Sequence, residues 1–183
     1  SKDVFIFPQC GAAGEIYNKG MFRHRAEAAM AARKGISWRQ EIGRRIADGV
    51  DRALPVARKD VDFNPVFKHT VARVDLPVKD PPAPPFYLTD PVKPAEFHVI
   101  RLEDTALVTN PFELFMDYGI RMQARSKALL TFVVQLSCHG SGYLPTARAV
   151  RGGGYSADAF LVGPEGGRVL VEESVKRINA LWP

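Results

Sequence analysis

The sequence predicts an α/β fold, a mixed β-sheet flanked by helices, within one domain over residues 1–183. Three observations carry that expectation. Strand-like runs at 67–78, 97–102, 105–109 and 129–136 interleave with helical periodicity at 37–54, 111–126 and 167–182. The run 129–136, Leu-Leu-Thr-Phe-Val-Val-Gln-Leu, is apolar almost throughout, the pattern of a strand covered on both faces and central in its sheet. With 46% hydrophobic and 25% charged residues, a chain of this length has enough apolar side chains for a core.

Taken in order, Val4-Phe5-Ile6-Phe7 reads as a short buried strand, followed by a glycine-rich turn from Gly11 to Gly14. That turn lacks the Lys-Ser/Thr of a phosphate-binding loop and the spacing of a dinucleotide fingerprint. Residues 20–34 are alanine-rich and basic, and predict a helix. Ser37 then offers an N-cap, with Gln40 placed to complete a capping box. Trp38, Ile42, Ile46, Val50 and Leu54 recur near helical spacing, which predicts one buried face, and Pro55 is expected to end the helix. Residues 67–78 alternate as a half-buried strand. The segment 79–94 is proline-rich and predicts an irregular surface connection, with Phe86 and Tyr87 as docking side chains. The next two runs, 97–102 and 105–109, predict a hairpin turning at Glu103-Asp104. Pro111 suits a first helical position, so a helix is expected from 111 to about 126, with Phe112, Phe115, Met116, Ile120 and Met122 as apolar contacts. The last helix, 167–182, should bury Val169, Leu170, Val175, Ile178 and Leu181.

Formal net charge is +5, and much of the excess lies between Lys19 and Arg58. There, Arg39, Glu41, Arg44, Arg45, Asp48, Asp51 and Arg52 mix signs on one helix, the pattern of a solvated face rather than of a nucleic-acid surface. No nucleic-acid partner is expected. No run approaches the roughly 18 apolar residues of a membrane span. The opening Ser1-Lys2-Asp3 carries no leader pattern, which leaves the compartment open, because a start inside a domain would remove such a leader. Cys10 and Cys138 fit no Cys-x-x-Cys metal spacing, and the simplest reading is two buried free thiols. An exported parent, periplasmic or extracellular, is the setting in which they would pair.

Residues 110–155 hold the most informative pattern. Asn-Pro-Phe-Glu opens a helix, the apolar run follows, and Ser-Cys-His-Gly-Ser-Gly-Tyr-Leu-Pro-Thr comes next, with Gly-Gly-Gly-Tyr at 152–155. This resembles the second half of the catalytic domain of the neutral/alkaline (non-lysosomal) ceramidase family. A weaker likeness lies in Phe5-Ile6-Phe7-Pro8-Gln9-Cys10-Gly11-Ala12-Ala13-Gly14-Glu15, similar to the family's strand followed by Gln-Gly-Ala-Ala-Gly-Asp. The resemblance implies that the chain is part of a larger zinc amidohydrolase domain. It implies Glu113 as the zinc carboxylate and Tyr143 as the zinc phenol, with two zinc histidines in an upstream half. Three departures stand out: Phe112 replaces the family's glycine before the glutamate, Tyr17 falls near its serine, and the upstream half has no counterpart in this sequence.

The chemistry fits those residue types. Bound zinc lowers the pKa of water to about 7 and polarises a carbonyl, the two needs of amide hydrolysis near neutral pH. The substrate expected from the resemblance is an N-acyl lipid or a related small amide. Gly11, Gly14 and Tyr155 would line the pocket, and His139, four residues before Tyr143, would contact substrate as a catalytic residue. Each also has a structural reading. Glu113 near a helix start would stabilise the dipole, Tyr143 would cap a strand end, and His139 would be a surface group. His24, His69 and His98 show no metal spacing with one another. With only two ligands present, the chain is expected to bind zinc weakly and to be inactive alone, its partner being the upstream half or a complementary chain. The other reading is a non-catalytic binding or assembly module that keeps the fold.

Overall fold

A computed structural model describes residues 5–17, 23–83, 93–158 and 160–183. The elements run α1 (His24–Lys34), α2 (Trp38–Ala57), β1 (Phe67–Val74), β2 (Val78–Ala83), β3 (Ala95–Leu102), β4 (Thr105–Thr109), β5 (Glu113–Leu114), α3 (Met116–Arg125), β6 (Leu130–Val134), β7 (Tyr143–Leu144), α4 (Ala147–Gly152), α5 (Tyr155–Asp158), β8 (Phe160–Val162) and α6 (Pro164–Asn179). They divide into two compact units, Ser1–Ile16 with Val66–Pro183, and Tyr17–Pro65.

The smaller unit holds α1 and α2. Helix α2 starts as the sequence predicts: the Ser37 hydroxyl accepts the Gln40 amide, and the Gln40 side chain accepts the Ser37 amide. The expected buried face is only half-buried, and Ile46 is exposed. The one buried residue of the two helices is Glu41. Its carboxylate is enclosed by Lys34, Arg44 and Arg45, each within 3.1 Å. Pro55 does not end the helix but sits inside its last turn, which runs on to Ala57.

The larger unit is a mixed α/β layer structure. Four strands lie in the order β1-β3-β4-β6, with β1, β3 and β4 antiparallel and β6 parallel to β4. The predicted hairpin forms, pairing Leu102 with Thr105. One face of the sheet presents Phe97, Val99, Ala106, Val108 and Val133 to Leu170, Val171 and Ile178 of α6 and Met122 of α3. A Cβ on Gly167 would stand 2.3 Å from the Tyr118 ring, so the aromatic seats directly on the α6 backbone. The Tyr118 hydroxyl donates to the Pro145 carbonyl at 2.9 Å, and burial pushes its pKa up to about 12. Asn179 closes the layer: its amide nitrogen donates to the Arg125 carbonyl and its oxygen accepts the Lys127 amide, which caps the end of α3.

Several expectations are corrected. Phe5, Ile6 and Phe7 form no strand and are exposed, because no described strand offers them a ladder; Val4 lies outside the described residues. Strand β6 is at the sheet edge rather than at its centre. The α3 crossover lays it beside β4, and just past its end the Gln135 amide donates to the Cys10 carbonyl at 3.0 Å. Leu130 and Phe132 lie on the face turned away from the core and are exposed, while Thr131 and Val133 on the core face, and Val134, are buried. The segment 79–94 is not wholly irregular, since β2 pairs with β8 as a two-stranded edge ribbon, a position that tolerates proline. Phe86 and Tyr87 lie outside the described residues. Met116 and Ile120 are exposed rather than apolar contacts, whereas Phe112, Phe115 and Met122 are buried as expected. Cys10 and Cys138 are free but exposed, not buried. No described helix is long and apolar enough to cross a membrane.

Candidate functional site

The helix expected from Pro111 starts five residues later, and the reason decides where Glu113 points. The Asn110 side chain accepts the Phe112 amide, the Gly142 carbonyl accepts the Glu113 amide, and Gln135 Oε1 accepts the Leu114 amide. Those bonds hold a bend at 111–112 and an extended Glu113–Leu114, so the helix opens only at Met116. Its first amide is capped by the Glu15 carboxylate at 2.9 and 3.0 Å. The dipole-stabilising role considered for Glu113 thus belongs to Glu15.

Freed from the helix, Glu113 lies in β5, which pairs in parallel with β7 so that Glu113 stands opposite Tyr143 and Leu114 opposite Leu144. Strand alternation sends the two leucines into the core, where both are fully buried, and places the glutamate and the tyrosine together on the other face, both half-buried. Tyr155 packs edge-on against Tyr143, with ring centroids 5.7 Å apart. The glycine-rich turn passes immediately behind: Gly14 donates its amide to the Leu114 carbonyl at 2.8 Å, and a Cβ there would stand 2.3 Å from the Glu113 carbonyl oxygen. Gln135 fastens turn and strand together, because its Oε1 accepts from both Ala13 and Leu114.

Of the residues singled out in the sequence, Glu113, Tyr143, Tyr155 and Gly14 are therefore gathered. Gly11 stands apart from this cluster, lining a groove of about 290 Å³ with Met116, Gly119, Ile120 and Phe132. His139 is exposed on the loop between β6 and β7, its Nδ1 3.0 Å from the Gly140 carbonyl.

A second group was not foreseen. Glu96 and His98 share one face of β3, and Cys138 meets them from the loop after β6, with ligand atoms of all three within 4.8 Å of one another. Arg73 pairs with Glu96 Oε2 at 2.8 Å and holds the carboxyl below its usual range, with His98 adding to the effect. His69, on β1, lies against His98, Nε2 to Nδ1 at 2.9 Å with the rings stacked. The i, i+2 spacing of Glu96 and His98 was the available signal; the predicted strand began one residue too late to include Glu96. The approach of Cys138 has no signal in sequence.

No family model matches the chain, and no curated protein sequence matches it. Among solved structures, a neutral ceramidase from Pseudomonas aeruginosa is similar at 17% identity and a TM-score of 0.44, over 47% of this chain and 15% of that one. A ceramidase complexed with C2 is similar at 16% identity and the same TM-score, over 47% of this chain and 14% of that one. The chain thus spans only a small part of the length of the solved structures it matches.

Proposed function

We propose that the chain contributes part of the zinc site of an amidohydrolase acting on the amide of an N-acyl lipid or a related amide. The observation that supports this reading is the β5–β7 bridge, which sets a carboxylate and a phenol 30 residues apart in sequence side by side on one half-buried face. Carboxylate and phenol oxygens suit zinc as part of a set of three or four ligands, and two further ligands would come from an upstream segment or complementary chain. When bound, the ion would supply an activated water and a polarised carbonyl. In this reading Glu113 and Tyr143 hold the ion. Tyr155 fixes the Tyr143 ring by its edge contact, and Gly14 admits the turn close enough to brace the Glu113 backbone. Val71, Leu102, Leu130 and Phe132 leave an apolar surface exposed on the sheet, which favours a larger parent over a self-contained binding module.

Hydrolysis of a short N-acyl lipid, followed with the chain alone and with its upstream half added, tests the proposal. Zinc-dependent turnover is expected only with both parts, falling at least about 100-fold on Glu113→Gln or Tyr143→Phe. Turnover indifferent to both substitutions, or none in the joined protein, would reject it, the latter in favour of a non-catalytic module.

A further inference from the structure

We propose that Glu96, His98 and Cys138 form a binding site for a thiophilic divalent cation of the zinc class, with His69 and Arg73 as positioning residues. This site shares no ligand with Glu113 and Tyr143 and does not depend on their role. The three donors are a carboxylate oxygen, an imidazole nitrogen and a sulfur. That mixed set suits zinc and its neighbours and is poorly matched to calcium or magnesium, which take oxygen ligands. Zinc bonds of about 2.0–2.3 Å at tetrahedral angles place donors roughly 3.3–3.8 Å apart. His98 Nε2 and Glu96 Oε1 are already 3.4 Å apart. The Cys138 sulfur, on an exposed loop, already lies within 4.8 Å of both, no more than about 1–1.5 Å beyond that spacing.

The surroundings leave one donor atom of each strand ligand aimed at the shared space. Arg73 occupies Glu96 Oε2, which leaves Oε1 toward His98. His69 Nε2 lies 2.9 Å from His98 Nδ1, so that when Nδ1 carries the proton and donates to His69, the His98 Nε2 lone pair is left facing Glu96. Register explains why both positioning groups are there: Arg73 pairs across the ladder with Glu96, and His69 lies on the same face as its neighbour Val71, the partner of His98. The His98 amide is tied to Thr109 Oγ1 at 2.8 Å, and the same oxygen lies 3.8 Å from the Cys138 sulfur. Cys138 itself has φ 72°, a left-handed conformation that a side chain rarely adopts, and the Ser137 amide anchors that bend to the Asn110 carbonyl. That bend, which begins at Leu136 with φ 56°, brings the thiol to the carboxylate and the imidazole. Three protein donors would leave one coordination position open.

Titration of the full chain with cobalt(II), under reducing conditions, reads the thiolate directly. One cobalt per chain is expected, with a thiolate-to-cobalt charge-transfer band that zinc bleaches. Cys138→Ser should abolish the band, and His98→Ala should weaken cobalt binding at least tenfold. His69→Ala should weaken it about 10- to 100-fold. Cys10→Ser and Glu113→Gln should leave the band unchanged, which separates this site from the proposed amidase centre. Absence of the band in the unmodified chain, its survival in Cys138→Ser, or unaltered binding in His98→Ala would overturn the proposal. Circular dichroism confirms that each variant folds before its titration is scored.

Discussion

Gln135 and Gly14 show how single residues set the geometry around Glu113. Gln135 is buried, and its side-chain oxygen takes the amides of Ala13 and Leu114 while its nitrogen donates to the Cys10 sulfur. Replacing it with leucine would leave the buried Leu114 amide without a partner, a loss of about 1–3 kcal/mol. Gly14 is constrained differently. Its φ is ordinary, but a Cβ would collide with the Glu113 carbonyl, which is backbone and cannot swing aside. Gly14→Ala is therefore expected to destabilise the fold by about 1–3 kcal/mol, and Gly11→Ala, which meets nothing within 4 Å, to be close to neutral. Urea titrations of the two alanine variants check the contrast, and equal midpoints would refute it. The sequence makes both glycines conspicuous, yet only the packing separates them.

At the scale of elements, α2 depends on an unusual centre, one carboxylate among three cations. Hydrogen bonds from Arg44, then Arg45 and Lys34, hold Glu41 far below the usual carboxylate range. Because its folded pKa is depressed, the stability it contributes is fully present above its unfolded value, near 4.5, and is lost as pH falls from there toward the folded value. Glu41→Gln should therefore lower the thermal midpoint of the helical signal at pH 7 and flatten its decline below about pH 4.5. A decline of unchanged slope in the variant would assign it to other carboxylates. The cap of this helix was legible in Ser37 and Gln40 because a capping box is local. The start of α3 was not, because Gln135 and Gly142, which hold Glu113 and Leu114 extended, and Glu15, which caps the helix at Met116, come from distant parts of the chain. Proline at 111 permits a helix start but cannot compel one against hydrogen bonds that hold the next residues extended.

For the whole molecule, the larger unit has one core shared by the sheet, α3 and α6, and Leu144 lies fully inside it. Leu144→Ala should cost about 2–5 kcal/mol. The two tryptophans fall in different units, Trp38 in the smaller and Trp182 in the larger. In a Trp38→Phe background, Trp182 fluorescence should show the full loss of stability on adding Leu144→Ala. An unshifted Trp182 midpoint would mean that the core does not extend to the C-terminal helix. Arg101 makes that extension concrete: its guanidinium stacks on Trp182 at 4.5 Å and donates to the Leu181 carbonyl.

The sequence by itself determined the α/β class, the hairpin at Glu103-Asp104, the last helix and its buried Leu170, Val175 and Ile178, and the cap of α2. Each rests on periodicity or on contacts a few residues apart, which a linear pattern records. It also singled out Glu113, Tyr143, Tyr155 and Gly14. That the first two share one face of a parallel bridge was decided only by the tertiary structure, because 30 residues and a whole crossover separate them. The edge position of β6 depended likewise on which neighbours dock, since an apolar run states a demand for cover without naming what supplies it. The meeting of Glu96, His98 and Cys138 depended on strand register and on a loop with left-handed residues at Leu136 and Cys138. Such long-range coincidences are fixed by the closing of the chain on itself and leave no periodic trace.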